Sequence, residues 1–298
     1  MYRKSVLLGL VLMTAVAAVA RAQDFGVVVM AHGGSDEWNE GVLEAVEPLR
    51  RDHAIEVAFG MADAVSIQSA VTRLEDAGAD RIGVVRLFIS GDSWYDRTRQ
   101  ILGVIDGAPS RPANDPTASH DMGEMGHSME FWRVDADAGF AVSVEGLSEA
   151  PEMGVVLADR ARRLSTDPAR EDVLILAHGP EDDKENERWI RYMEAHAAVI
   201  RAAMPFHEIV AETLREDWPD KRALAEQRIR QYVETAAEEG RSVIVLPFRV
   251  HGFGPYEAVL EGLDYIADGR GLVPHDSVTE WIERQIIVLE RELRAQAN

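Results

Sequence analysis

The apolar run "VVVMAHGG" at 27–34 ends in Ala-His-Gly, and "VLILAHGP" at 173–180 does the same 146 residues later. A strand rich in β-branched residues that closes on His-Gly, written twice, points to an internal duplication. The order of the downstream segments supports it. After the first run come "SDEWNEGVLEAVEPLR", the strand "IEVAFGMAD", the helical stretch "SIQSAVTRLEDAGA" and "DRIGVVRLFISGDSW". After the second come a helix around 186–204, "FHEIVAETLRED", a helix across 221–239 and "RSVIVLPFRVHGFG". Each half closes on a Gly-Leu turn and an amphipathic helix, from Gly146 and from Gly271. Short Val/Ile-rich runs alternating with helix-length amphipathic segments specify β-α-β units and parallel sheets. The expected fold class is α/β, with two tandem doubly wound parallel-sheet domains related by duplication.

The expected domains are 23–167 and 168–298, joined at Asp167-Pro168-Ala169. Residues 1–22 carry the marks of a secretory signal peptide. Arg3 and Lys4 precede an apolar stretch from Val6 to Ala20, and Ala20-Arg21-Ala22 offers a small-x-small cleavage site. That stretch is shorter than the roughly 20 residues of a spanning helix. The expectation is cleavage after Ala22 and an exported, periplasmic protein that leaves the membrane. Removing the leader takes away three basic residues and no acidic one, which moves the formal charge from −21 to −24. So acidic a surface argues against nucleic-acid or anionic-membrane partners. Cysteine is absent, which excludes disulfides, thiolate metal sites and a thiol nucleophile.

No Gly-x4-Gly-Lys-Ser/Thr loop and no Gly-x-Gly-x-x-Gly turn after the first strand is present, so no nucleotide cofactor is expected. Gly-x-Ser-x-Gly is missing as well. Histidines and carboxylates at strand ends remain. Ligands in open α/β sheets sit beyond the carboxyl ends of the strands. His178, and His251 after "VIVLPFRV", are therefore expected to converge, with Glu212 from the intervening strand; Glu208 or Glu216 could equally face the cleft. Two imidazoles and a carboxylate suit a divalent transition metal, and equally suit proton removal near neutral pH. The first half keeps His32 but has Ser93 near the place of His251, and Met61 where an acid would stand. His32 is thus expected to line the cleft without a metal of its own.

Trp94, Phe253 and Tyr256 are candidates for contact with a flat apolar ring. The other tryptophans, among them Trp38 and Trp189, fall on amphipathic helices and suit core or interface. "PEDDKENER" at 180–188 fits the acidic first turn of a helix. An insertion at about 107–140 is expected to be an exposed loop. It brings His120, Met122, Met125, His127 and Met129 together, donors suited to soft or borderline ions such as copper.

The duplicated halves, the first-strand Ala-His-Gly, the histidine after a Leu-Pro-Phe strand and the closing "GLDYIADGRGLVPHDSVTEWI" resemble the class II tetrapyrrole chelatases, the sirohydrochlorin cobaltochelatase and ferrochelatase family. The resemblance covers nearly all of the mature chain except the insertion. It implies ATP-independent insertion of Co2+, Ni2+ or Fe2+ into a sirohydrochlorin-type ring held between the halves. His178 and His251 would bind the incoming ion and strip pyrrole protons, and Glu212 would assist. Export, the thinner first half and the Met/His segment depart from that family. They leave two other readings open: a periplasmic metal-binding or metal-delivery protein, and a tetrapyrrole binder that no longer inserts metal.

Overall fold

The computed structural model describes residues 24–112 and 129–296. The leader and His120, Met122, Met125 and His127 lie outside the described residues. The first half runs β1 (Phe25–Ala31), α1 (Asp36–Val46), β2 (Ala54–Phe59), α2 (Ala64–Asp76), β3 (Arg81–Leu87), α3 (Tyr95–Ile101), β4 (Gly139–Val142) and α4 (Glu152–Leu164). The second runs β5 (Glu171–Ala177), α5 (Asp183–Ala203), β6 (Glu208–Thr213), α6 (Pro219–Glu238), β7 (Ser242–Phe248), α7 (Tyr256–Val259) and α8 (Asp276–Gln296). Among the described residues no helix is long and apolar enough to cross a membrane.

Both sheets are parallel, in the orders β2-β1-β3-β4 and β6-β5-β7. The two central strands, β1 and β5, are buried at every residue, which is why they read as unbroken apolar runs. Their registers match: Ala31 lies opposite Phe59 and Leu87, and Ala177 opposite Thr213 and Phe248. His32 and His178 therefore leave the sheets at equivalent points, where the chain order reverses and a crevice opens. Polar side chains start the helices that come next. Ser35 accepts from the Trp38 amide at 3.3 Å, Asp63 from Ser66 at 2.9 Å, and Asp182 from Glu185 at 2.8 Å.

The closing helices are exchanged between halves. α4 packs on α5 and β7 of the second half, whereas α8 packs on β3, β4 and α1 of the first. Thr279 of α8 donates to the Ala45 carbonyl of α1 at 2.7 Å. Arg284 of α8 reaches Glu145 and Glu152 at 2.7 Å. One apolar core consequently runs from Val27 and Val29 of β1 through Val156, Trp189 and Trp281 to Val173 and Ile175 of β5. Separate cores back the outer faces, under α2 in the first half and under α6 in the second.

Among its described residues, the second end of the insertion, from about 131, is not the exposed loop the composition suggested. Trp132, Val134 and Ala138 are buried against Ile101 and Leu102, and the chain then enters β4 as a fourth strand. Low periodicity hid a segment anchored by a single large ring.

His196 of α5 ties the halves together and makes them acid-sensitive. It is buried, donates from Nε2 to the Ser148 carbonyl at 2.9 Å, and stacks on Phe248 at 5.5 Å. Burial holds its pKa below the ordinary imidazole value, against the opposing pull of the Ser148 carbonyl. Acidification protonates the unfolded chain first. The stability that neutral His196 contributes is thus complete above about pH 6.5 and is lost as pH falls through the lower folded-state value. Urea midpoints measured between pH 7 and 5 are expected to fall, and His196→Gln to flatten that slope. An unchanged slope would assign the acid sensitivity elsewhere.

Candidate functional site

His32 and His178 sit in the same local frame. Nδ1 of His32 is 2.7 Å from the Gly33 carbonyl, and Nδ1 of His178 is 2.6 Å from that of Gly179. A carbonyl only accepts, so in each ring Nδ1 carries the hydrogen and Nε2 is the variable nitrogen. The turn depends on glycine: Gly33 and Gly179 have φ of 80° and 78°, and a Cβ at 179 would lie 2.6 Å from Thr213 Cβ.

The surroundings of Nε2 on His178 are acidic. It lies 2.9 Å from Asp217 Oδ2 and 3.3 Å from Glu216 Oε1. Two carboxylates within reach of one ring nitrogen make that point attractive to a metal cation. Glu216 is nearly buried and takes a second contact from Arg249 at 2.6 Å. Arg249 is itself fixed over the Tyr256 ring at 5.8 Å, and a Cβ at Gly254 would collide with it. The edge of the Trp218 ring completes the pocket around His178 at 5.8 Å.

His251 follows β7 and lies against α1, the first helix of the other half. A Cβ on Gly41 would stand 2.7 Å from His251 Cδ2. Burial lowers the His251 pKa; Glu37 opposes the shift and Arg160 adds to it. The ring is thereby kept neutral. Gly41→Ala tests its contact with α1. Alanine at a helix interior is favoured over glycine by ~1 kcal/mol, so the helix tolerates the change while the His251 ring must turn. The expected outcome is an unchanged circular dichroism spectrum with a displaced His251 imidazole signal by NMR; an unmoved signal would contradict the packing.

The three histidines meet around one cavity of about 430 Å³ lined by His32, His178 and His251, together with Trp38, Trp94, Trp189, Asp217 and Arg249. A second, wider cavity of about 890 Å³ shares Ser93, His178 and Trp189 with the first and is bordered by Glu181, Asp182, Asp183 and Glu185. The acidic helix start seen in the sequence is thus also a rim of the cleft. The loop that carries Ser93 and Trp94 is held by Arg86, which donates to the carbonyls of Ser143, Ser93 and Gly91 at 2.7–2.8 Å. Burial lowers the Arg86 guanidinium to about 10. Among the described residues, no group of three or more His, Asp or Glu side chains is arranged to hold a metal ion.

Several sequence expectations need correction. Glu212 faces α6 and meets Arg228 at 3.3 Å, so the carboxylate beside His178 is Glu216, with Asp217 next to it. Tyr256 is fully buried under Arg249, and Phe253 stacks on Tyr265 at 6.0 Å; both belong to the outer core and neither lines either cavity. Trp94 does line the chamber, in a left-handed turn with φ of 58°. The counterpart of His251 is Ser90 and not Ser93, because Leu87 and Phe248 occupy matching register positions. Gly146 packs on Ser90 as Gly271 packs on His251. Ser93 and Met61 still reach the cavity wall. Met129 is exposed, and only its carbonyl is held, by Arg97. Trp38 and Trp189 pack in and against the shared core, as their amphipathic helices implied, and they also border the chamber. Their positions in the helices directly after His32 and His178 were the available signal.

No protein-family model matches the chain, and no curated protein sequence does. Three solved structures share its architecture. SirB from Bacillus subtilis with Fe3+ superposes with a TM-score of 0.60 at 13% identity, over 90% of this chain and 94% of that one. The sirohydrochlorin chelatase SirB from Bacillus subtilis subspecies spizizenii in complex with cobalt gives 0.53 at 11%, over 88% and 93%. A multi-domain protein of Deinococcus radiodurans, structurally similar to chelatases and carrying two additional novel domains, gives 0.54 at 17%. It matches 89% of this chain, which spans about half of its length (54%). The fold is therefore chelatase-like, in the class II arrangement of two parallel-sheet halves.

Proposed function

We propose that the protein inserts a divalent metal ion into a tetrapyrrole bound between its halves, without nucleotide. The observation that carries this reading is the convergence of His178, with its carboxylates, and His251 on one tryptophan-walled chamber. Metallation exchanges two pyrrole N–H protons for one M2+; each N–H bond breaks, and its electron pair remains on nitrogen to bind the ion. Neutral His251 supplies a lone pair for the ion or for a proton. The carboxylates around His178 Nε2 favour the arriving positive charge. Trp38, Trp94 and Trp189 offer flat apolar faces to a ring. Sirohydrochlorin with Co2+, Ni2+ or Fe2+ is the first combination to test, and the protein would work outside the cytoplasm after cleavage at Ala22.

The test follows Co2+ with metal-free sirohydrochlorin and, in parallel, with metal-free deuteroporphyrin by absorption, with the wild type and with a variant lacking residues 118–130. Acceleration over the spontaneous rate with either ring that survives the deletion supports insertion in the cleft. A protein-free rate with both rings, with Co2+ affinity that disappears on deletion, would instead make the chain a metal carrier built on the Met/His segment.

A further inference from the structure

We infer that the ring this chamber takes is poor in carboxylates, a dicarboxylate or neutral-edged macrocycle and not an octacarboxylate such as sirohydrochlorin. The inference rests on the tetrapyrrole reading above and concerns the charge at the edge of the ring. Polycarboxylate ligands are recognised by arginine and lysine, whose fixed charges match each acidic arm. Among the described residues that line the inner chamber, Arg249 is the one permanent cation, and Glu216 already occupies it at 2.6 Å. Asp217 adds a negative charge to the same wall.

The wider cavity continues the pattern. Glu181, Asp182, Asp183 and Glu185 face two lysines, and one of these, Lys221, is bound to Asp183 at 2.6 Å. Residues 113–128 contain no lysine or arginine, so that stretch has no permanent cation to add. The net charge of −21 sets the long-range field against a polyanion as well. The same arrangement admits metal cations, so the cleft separates its two substrates by charge.

Tryptophan fluorescence measures this without any metal, because Trp38, Trp94 and Trp189 line the chamber. The protein is titrated with metal-free deuteroporphyrin, a dicarboxylate, and with uroporphyrin, an octacarboxylate. Deuteroporphyrin is expected to quench at concentrations lower by about tenfold or more, since like charges brought together disfavour the wrong partner. Added NaCl should narrow the gap by screening the rim. Glu181→Lys with Glu185→Lys should tighten uroporphyrin several times more than deuteroporphyrin, which has fewer acidic arms. These salt and charge-reversal responses separate electrostatic selection from a plain preference for the more apolar ring. Uroporphyrin binding as tightly as deuteroporphyrin, or tighter, overturns the inference while the tetrapyrrole reading stands. Quenching by neither ring overturns both.

Discussion

Replacing His178 by alanine is expected to lower the catalysed metallation rate by about 10²–10⁴-fold, the usual contribution of a positioned proton acceptor. The substitution removes the ring at the end of β5 and leaves Glu216 and Asp217 facing the chamber with no group between them. The fold should survive, because His178 lies at the cavity edge, Glu216 remains bound to Arg249 and Asp217 is solvent-exposed. Ring binding by tryptophan quenching should change little. The loss should therefore fall in kcat and not in KM, as for an interaction made at the reacting centre. His251→Ala is expected to share that signature. His32→Ala is expected to affect KM alone, since its ring meets the Gly33 carbonyl and the Trp38 ring at the chamber wall. A His178→Ala enzyme with wild-type kcat would remove the residue from the mechanism.

The second large effect is on stability. Trp281 of α8 is fully buried in the core shared by the two sheets. Trp281→Ala is expected to cost roughly 3–5 kcal/mol, a fall in Tm on the order of ten degrees. Trp281→Phe should cost much less, because the indole N–H it removes has no hydrogen-bond partner in the structure. The location of the damage is the sharper outcome. By chain order Trp281 belongs to the second half, but α8 covers the first sheet. Hydrogen exchange is therefore expected to quicken in Phe25–Ala31 and Arg81–Leu87 ahead of Glu171–Ala177. Faster exchange confined to β5–β7 would contradict the helix exchange.

The sequence is most legible where its signals are local. Strands buried on both faces carry long apolar runs, so "VVVMA" in β1 and "VLILA" in β5 stood out, and with them the positions of His32 and His178, although β5 opens on two buried acids, Glu171 and Asp172. The partner of an amphipathic helix is a tertiary fact. The stripe on α8 shows that a core lies beneath it, and nothing in the stripe says which sheet. Glu212 failed for a related reason. Side chains alternate along β6, and Ile209 and Ala211 take the inner face, so the carboxylate between them and the loop points outward. The acids that reach His178 come from the loop beyond the strand, where no periodicity applies. Tyr256 illustrates the opposite error: a Gly-rich turn suggested an open ligand face, but the ring is the floor on which Arg249 rests.

The central claim is that the chamber between the halves accelerates metal insertion. Its most direct test is the initial rate of Co2+ incorporation, without nucleotide, against increasing concentrations of sirohydrochlorin and of deuteroporphyrin, with matched protein-free controls. A chamber that accelerates insertion gives a rate above the control that saturates with ring concentration for at least one ring and disappears in His178→Ala. Rates that rise linearly and coincide with the control for both rings would contradict it.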